Sequence, residues 1–143
     1  MTRSELMVML GRMLGFQQED ATLSFKDAAD IPVWAKPYIA GAVKSGLANG
    51  YEDGTFRPGG KITRIEFVAI VARALNLKSE TNAILPYVDS DQIPSWGRAY
   101  ATALYEAGLI EGRDNNLFAP NDQVTRAEAV TLLLRLAKYQ TSN

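Results

Sequence analysis

Three copies of the motif Thr-Arg-x-Glu are the first candidates for chemistry in this 143-residue sequence. They occupy residues 2–5, 63–66 and 125–128. Threonine followed three residues later by glutamate predicts a capping box, in which each side chain accepts a hydrogen bond from an amide at the start of a helix. The arginine has no part in capping. A cation in the first helical turn is even unfavourable by roughly a few tenths of a kcal/mol, because the helix dipole is positive there.

The three arginines are therefore candidates for binding an anion. A guanidinium group beside free N–H groups at a helix start forms a site for a carboxylate, and Arg3, Arg64 and Arg126 all have this position. The alternative is a structural arginine that pairs with Asp27, Asp89 or another carboxylate. Both interpretations are open at the level of the sequence.

Two tryptophans add a second kind of contact. Trp34 and Trp96 precede these motifs at equal spacing, and an indole ring beside a cation could stack on a sugar that carries an acidic group. The alternative is core packing, since both tryptophans also fit the buried face of a helix. A tryptophan in a groove wall could have both roles.

The composition excludes several classes of function. The sequence has no cysteine and no histidine, which removes thiolate chemistry, the commonest general base and the commonest transition-metal ligand. We therefore expect no catalytic residue, no metal and no cofactor. A glycan-acting enzyme with two carboxylates would have Asp27, Asp53 and Glu66 available, but turn or capping roles account for them. A net charge of −1 disfavours a nucleic-acid partner, including a helix-turn-helix DNA binder.

The Thr-Arg-x-Glu motifs close a longer internal repeat. Residues 25–66 and residues 87–128 align without a gap, and such self-similarity indicates a repeat architecture. The shared positions before the motif are Asp27/Asp89, Ile31/Ile93, Pro32/Pro94, Trp34/Trp96, Tyr38/Tyr100, Gly46/Gly108, Leu47/Leu109, Gly50/Gly112, Phe56/Phe118 and Pro58/Pro120. The N-terminal motif supplies only the second half of a repeat.

Each full repeat predicts a helix, a loop and a second helix. In the middle repeat Pro32 and Pro37 place regular helix near residue 37, because proline is tolerated only in the first turn. Apolar residues then recur at helical spacing until Gly46 and Gly50 end the helix.

The loop carries clear turn chemistry. Asp53-Gly54 predicts a turn with positive φ, and Asn115-Asn116 replaces it in the last repeat. We expect Phe56 and Phe118 to anchor these loops in the core. The spaced oxygen ligands of a calcium loop are absent from this segment.

The second helix of each repeat follows the capping box. Its predicted apolar face consists of Phe67, Val68, Ile70, Val71, Ala74 and Leu75 in one copy, and of Ala129, Val130, Leu132, Leu133, Leu134 and Leu136 in the next. The polar connections 15–24 and 77–86 are predicted linkers. The fold class is therefore all-α. No apolar run approaches the ~20 residues that cross a bilayer, so we expect no membrane insertion.

The full pattern resembles the S-layer homology (SLH) repeat. The resemblance rests on Phe25-x-Asp27, Trp34, Gly46, Gly50, Asp53-Gly54-x-Phe56-x-Pro58 and Ile62-Thr63-Arg64-x-Glu66. It implies one domain over residues 1–143, with a partial first repeat at 1–16, a second repeat at 25–77 and a third at 87–140. It also implies that the tandem repeats pack as a pseudo-threefold, three-pronged helical domain.

The resemblance further implies a non-catalytic module that binds secondary cell-wall polysaccharide, often with pyruvylated sugars, in grooves between prongs. The implied contacts are Arg3, Arg64, Arg126, Trp34, Trp96, Asp27, Asp89 and Gly54. Arg3 would serve a groove with the middle repeat and Arg64 one with the last. The groove of Arg126 is either open or completed by another chain, that is, by an oligomer.

That assignment places the protein outside the cell at the wall or S-layer, as part of an exported protein whose signal peptide is not in this chain. The alternative function is a structural or protein-binding helical repeat without a sugar ligand.

Overall fold

A computed structural model describes residues 1–15, 23–79 and 85–142, with side chains through residue 139. These residues form five α-helices: α1 (Arg3–Leu14), α2 (Lys36–Lys44), α3 (Arg64–Ala74), α4 (Ser95–Glu106) and α5 (Arg126–Ser142). Turns, short 3-10 helices and isolated bridge pairs connect them, and the described residues contain no sheet. The all-α prediction is confirmed. Residues 16–22 and 80–84 of the predicted linkers lie outside the described residues.

The chain divides into two compact units, Met1–Ile62 and Thr63–Asn143. In the first unit α1 packs on α2, and in the second unit α3 packs on α4. Because α1 and α3 each close one sequence repeat while α2 and α4 each open the next, the unit of packing is offset from the sequence repeat by half its length. We call α1, α3 and α5 the closing helices, and residues 25–62 and 87–124 the front halves.

All three closing helices begin with the predicted capping box. Each threonine hydroxyl accepts the amide of the glutamate at 3.1 to 3.2 Å, and each glutamate carboxylate accepts the threonine amide at 3.0 Å. These bonds satisfy two amides that a helix start otherwise leaves unpaired.

The predicted start of α2 is also confirmed. The helix begins at Lys36 with Pro37 in its first turn, after a turn in which Ala35 donates its amide to the carbonyl of Pro32. In the third repeat α4 begins directly after Pro94, because no second proline delays it there.

The loops between the helices have the predicted left-handed turns. Gly54 has φ of +84°, and Asn115 and Asn116 have φ of +64° and +59°. Phe56 and Phe118 are fully buried. The loop predictions are therefore confirmed. The replacement of Asp-Gly by Asn-Asn keeps the positive φ of Gly54 at Asn116 and adds a second positive φ at Asn115.

An aspartate fixes each of these loops. The carboxylate of Asp27 accepts the amides of Phe56 and Arg57 at 2.9 and 2.8 Å, and Asp89 accepts the equivalent amides of Phe118 and Ala119 at 2.7 and 2.8 Å. These bonds hold a conformation that the chain otherwise disfavours. Arg57 and Ala119 have φ of +60° and +54°, which costs a residue other than glycine about 1–2 kcal/mol.

The three closing helices differ in burial. In α3 every residue from Ile65 to Ala72 except Glu66 is buried. In α5 the buried residues are Ala129, Leu132, Leu133 and Leu136. The predicted apolar face of α5 is wrong at Val130 and Leu134, which are 39% and 60% exposed. Helical periodicity placed both on the apolar side, but no element among the described residues covers them.

We predict that Asp89→Asn destabilises the protein by about 1–3 kcal/mol, because an amide cannot accept both loop hydrogen bonds and leaves a buried N–H unpaired. Urea unfolding measures the change. Asp91→Asn, at an exposed position two residues away, is the matched control and should stay within about 0.5 kcal/mol of the parent. Equal effects of the two substitutions would contradict the role of Asp89.

Candidate ligand-binding site

Arg3 and Arg64 occupy equivalent places at the starts of α1 and α3. Nε of Arg3 donates to the carbonyl of Phe56 at 3.0 Å, and Nε of Arg64 donates to the carbonyl of Phe118 at 2.7 Å. Each guanidinium group also lies over the phenylalanine ring, 4.9 and 5.6 Å from its centre. Each arginine therefore joins a closing helix to the loop of the next repeat.

The first-turn amides of α1 and α3 are not free. Arg64 and Ile65 donate their amides to the carbonyls of Asp122 and Pro120 at 2.8 and 3.1 Å. In α1 the corresponding amides donate to the carbonyls of Gly60 and Pro58 at 3.1 and 3.2 Å. The prediction that free amides contribute to an anion site is therefore wrong for these two helices, because the loop of the next repeat uses them. An anion contact has to come from the guanidinium group.

Arg64 has a carboxylate partner, as the structural interpretation required. Its Nη1 donates to Glu128, the glutamate of the last Thr-Arg-x-Glu motif, rather than to Asp27 or Asp89. Arg113 holds the same carboxylate with two further bonds, from Nε at 3.0 Å and Nη2 at 2.8 Å. Glu128 is thus fixed by two cations at once.

This ion cluster changes the acidity of its members. Burial raises the pKa of Glu128, but hydrogen bonds from Arg113 and Thr125 and the charge of Arg64 outweigh it, so the pKa falls from 4.5 to about 2. Burial lowers the pKa of Arg64, and the charge of Glu128 partly offsets this effect. The hydrogen bond to Glu128 raises the pKa of Arg113. All three groups are charged at neutral pH.

A cleft of about 270 Å³ lies beside Arg64 in the second unit. Charged side chains at the cleft are Arg64, Glu111, Glu128 and Arg135. Its apolar lining comprises Phe67, Val68, Leu109, Ile110, Phe118, Val124 and Leu132. Arg135 and Glu111 form a looser ion pair at 3.4 Å. The cleft thus combines an apolar lining with two cations and two carboxylates.

The other two motif arginines have different surroundings. The guanidinium group of Arg3 lies 4.9 Å from the ring centre of Tyr51 as well as over Phe56, and Arg3 is only 6% exposed. Arg57 covers the same tyrosine at 3.7 Å. Arg126 is exposed at the start of α5. Three identical motifs therefore present three different environments.

The remaining predicted residues do not line the cleft. Asp27 and Asp89 fix the loops, and Gly54 forms the turn, where an added Cβ would meet the side chain of Lys26 at 3.1 Å. Trp34 and Trp96 are 53% and 52% exposed. Core packing is therefore excluded as their main role.

Sequence reasoning missed Glu128 and Arg113. The second role of Glu128 was obscured by its capping role, which alone accounts for a glutamate at that position. No signal pointed to Arg113, because the equivalent residue in the middle repeat is Tyr51.

Among residues 1–15, 23–79 and 85–142, no group of three acidic side chains could hold a metal ion. In that part of the chain no helix is long and apolar enough to cross a membrane.

Comparison with known proteins gives a family match. The family model described as the S-layer homology domain matches residues 24–68 and 86–130. Both matches begin at a front half and end inside a closing helix, as the sequence repeat does.

Curated relatives cover most of this chain. S-layer protein EA1 of Bacillus anthracis is 36% identical over 115 residues, which is 80% of this chain and 13% of that protein. The cellulosome-anchoring protein of Acetivibrio thermocellus is 32% identical over 142 residues, 94% of this chain and 31% of that protein. The amylopullulanase of Thermoanaerobacterium thermosulfurigenes is 33% identical over 140 residues, 94% of this chain and 7% of that protein. The chain therefore spans less than a third of each of these relatives.

We predict that Glu128→Gln removes part of the acid sensitivity of the protein. The pKa of Glu128 is about 2 in the folded chain against an ordinary value of 4.5, so its stabilising effect is complete above about pH 4.5 and disappears as the pH falls toward 2. The variant should be less stable at pH 7 and should lose less stability between pH 4.5 and 2. Urea unfolding across this range measures both.

Glu52→Gln is the control for this experiment, because Glu52 is exposed. Its stability should follow that of the parent at each pH. If Glu128→Gln also followed the parent, the ion cluster would contribute nothing to folding.

Proposed function

Because the chain belongs to the S-layer homology domain family, we propose that it is a non-catalytic module that anchors a larger protein to the bacterial cell wall by binding an anionic polysaccharide. The relatives include an S-layer protein and a protein named for anchoring the cellulosome. Their names support a location at the cell surface. Others of the relatives are enzymes many times the length of this chain, in which such a module is one part of a larger protein.

The proposal rests on the hydrogen bonds that the three guanidinium nitrogens of Arg64 do and do not make. Nε binds the carbonyl of Phe118 and Nη1 binds Glu128, while Nη2 has no hydrogen-bond partner among the described residues. Arg64 lines the cleft, and its side chain is 11% exposed. Two nitrogens thus hold the guanidinium group in place, and a third can donate to a carboxylate on a ligand.

The lining of the cleft supports a proposal about the class of sugar. We assign to it a sugar with a carboxylate on a compact apolar substituent, as in a pyruvate ketal. The carboxylate would meet Arg64, and the apolar part would contact the lining that includes Phe67 and Leu109. Arg135 is a second cation for the acidic polymer. Its ion pair with Glu111 is long, at 3.4 Å, and the side chain of Glu111 is 77% exposed.

The other predicted contacts have distinct parts in this proposal. Trp34 and Trp96 would stack on sugar rings through their exposed faces. Arg3 and Arg126 would contact further acidic groups of the polymer, each in its own surroundings. The contribution to binding would be indirect for Asp27, Asp89 and Gly54, because these residues fix the shape of the loops.

The carboxylates support a role without catalysis. Two-carboxylate glycoside hydrolysis needs one acid with a raised pKa. The hydrogen bonds from Thr55 lower the pKa of Asp53 to about 2. Asp27 accepts two loop amides, and Glu66 closes a capping box. Asp27, Asp53 and Glu66 therefore all act as hydrogen-bond acceptors in loops, turns and caps.

We predict that affinity for purified wall polysaccharide depends on its acidic groups. Removing them chemically should raise Kd by at least ~10-fold, because a charge-assisted hydrogen bond to arginine contributes about 1.5–3 kcal/mol. Titration calorimetry with native and treated polysaccharide gives both values. Equal affinity for the two samples would refute the anionic ligand, and no binding to either would favour a repeat without a sugar ligand.

We also predict that Trp96→Ala weakens polysaccharide binding by roughly 10-fold, because truncating a contact tryptophan costs more than ~1 kcal/mol. The melting temperature should change little, since Trp96 is 52% exposed. Val88→Ala is the matched control, because Val88 is an exposed apolar residue, 74% accessible, in the same unit. Unchanged affinity of Trp96→Ala would remove this residue from the site.

A further inference from the structure

Asn49 and Gly50 form the single Asn-Gly pair of the sequence, between α2 and the loop that follows it. In such a pair the backbone nitrogen of the glycine can attack the side-chain amide carbon of the asparagine. The reaction is intramolecular and closes a five-membered ring, so the two groups do not have to be brought together from solution. Glycine has no side chain that would hinder the approach. The pair is therefore a candidate for a covalent reaction of the chain with itself.

The fold leaves both reacting groups accessible. Asn49 is exposed, and its side chain makes no hydrogen bond to any of the described residues. The amide of Gly50 likewise has no hydrogen-bond partner in the described part of the chain. Residues 48–50 belong to no helix and no bridge. No hydrogen bond of either group therefore has to break before they meet.

The other described asparagines, at positions 76, 115, 116 and 121, lack this combination. Each of them precedes a residue with a side chain, namely leucine, asparagine, leucine and aspartate in that order. After Asn76 and Asn121 the next amide also donates to a backbone carbonyl, at 2.8 and 3.3 Å. The side chain of Asn116 donates to the carbonyl of Pro86. Asn49 is thus distinguished both by its neighbour and by its surroundings.

The pair Asp53-Gly54 in the same loop could close an equivalent ring, but its groups are engaged. Asp53 accepts the amide and the hydroxyl of Thr55 at 3.0 and 2.6 Å. These bonds lower the pKa of Asp53 to about 2, so its carboxylate is ionised, and an ionised carboxylate is a poor electrophile. The amide of Gly54 donates to the carbonyl of Tyr51 at 3.0 Å. The reactive pair of this loop is therefore the first one.

The fold requires glycine at position 50 but not asparagine at position 49. Gly50 has φ of +75°, and an added Cβ would lie 2.6 Å from the ring of Phe25. The equivalent glycine of the last repeat, Gly112, follows Glu111. An acidic side chain is thus accommodated before this glycine in the same kind of loop.

We propose that Asn49 is a site of spontaneous deamidation, which converts one side-chain amide into a carboxylate as the protein ages. The backbone nitrogen of Gly50 loses its proton to water or hydroxide and bonds to Cγ of Asn49. The side-chain nitrogen takes up a proton and leaves as ammonia. Water then opens the resulting succinimide at one of its two carbonyl carbons, which gives aspartate or isoaspartate. One water is consumed, one ammonia is released, and a chain of net charge −1 gains one negative charge.

The two products differ in their effect on the loop. Aspartate preserves the backbone and places a carboxylate where the last repeat has Glu111, which pairs with Arg135 at 3.4 Å. Isoaspartate lengthens the main chain by one carbon directly before Gly50, where the ring of Phe25 leaves no spare room. We therefore expect the isoaspartate form to be the less stable of the two.

The test incubates the intact folded chain at mildly alkaline pH in heavy-oxygen water and follows its peptides by mass spectrometry. The product at residue 49 should contain one heavy oxygen atom. It should form at least ~10-fold faster than the product at any other described asparagine, because positioning controls the rate of an intramolecular step. An intact Asn49 in the folded chain, with reaction only in the urea-unfolded chain, would overturn the proposal. An equally fast reaction at Asn115 would overturn it as well.

Asn49→Gln and Asn49→Asp are the matched controls, and both should fold because the position is exposed. Glutamine has to close a larger ring, so its variant should form no acidic species at this position. Asn49→Asp marks the elution of the aspartate product on anion exchange, and an acidic form of the parent should elute with it. If Asn49→Gln gave the same acidic form at the same rate, the reaction would lie elsewhere and the proposal would be wrong. None of these measurements uses polysaccharide, so the result is independent of the proposed function.

Discussion

The hydrogen bond from an arginine Nε to the carbonyl of a loop phenylalanine is the contact on which the other features of each unit depend. In the second unit, Arg64 holds the carbonyl of Phe118 while Asp89 holds its amide. A single buried residue is thus fixed from both sides by opposite charges. The same arrangement recurs with Arg3, Phe56 and Asp27 in the first unit. Since the arginine and the aspartate come from neighbouring repeats, this contact sets how one repeat packs on the next.

This arrangement gives Arg64 the structural role that the sequence left open. A cation at the start of a helix is tolerated because the loop carbonyl, the aromatic ring and Glu128 all favour its charge. The same contacts hold the guanidinium group in one position. A preorganised donor loses less conformational entropy on binding than a free side chain does. The structural role of Arg64 is therefore compatible with the ligand-binding role that we propose for it.

Local features were predictable from the sequence, and choices between distant partners were not. The capping boxes and the turns at Gly54 and Asn115 depend on residues at most three apart, so residue types alone predicted them. Burial of Phe56 was predictable because it is a large apolar side chain in an otherwise polar loop, which it anchors in the core. In contrast, Arg64 and Glu128 are 64 residues apart, and many carboxylates could have been the partner. The exposure of Leu134 depends on which elements cover a helix, and periodicity carries no information about that.

The half-repeat offset between sequence and packing bears on how such modules can be exchanged between proteins. A crossover in the connection after α3 would separate Arg64 and Ile65 from the carbonyls that accept their amides. A crossover near the junction of Ile62 and Thr63, where the two units meet in sequence, leaves every helix start with its own loop. Recombination that keeps each helix start with its own loop is thus confined to the segment directly before a Thr-Arg-x-Glu motif, whereas a cut at a repeat border replaces the loop that accepts these amides.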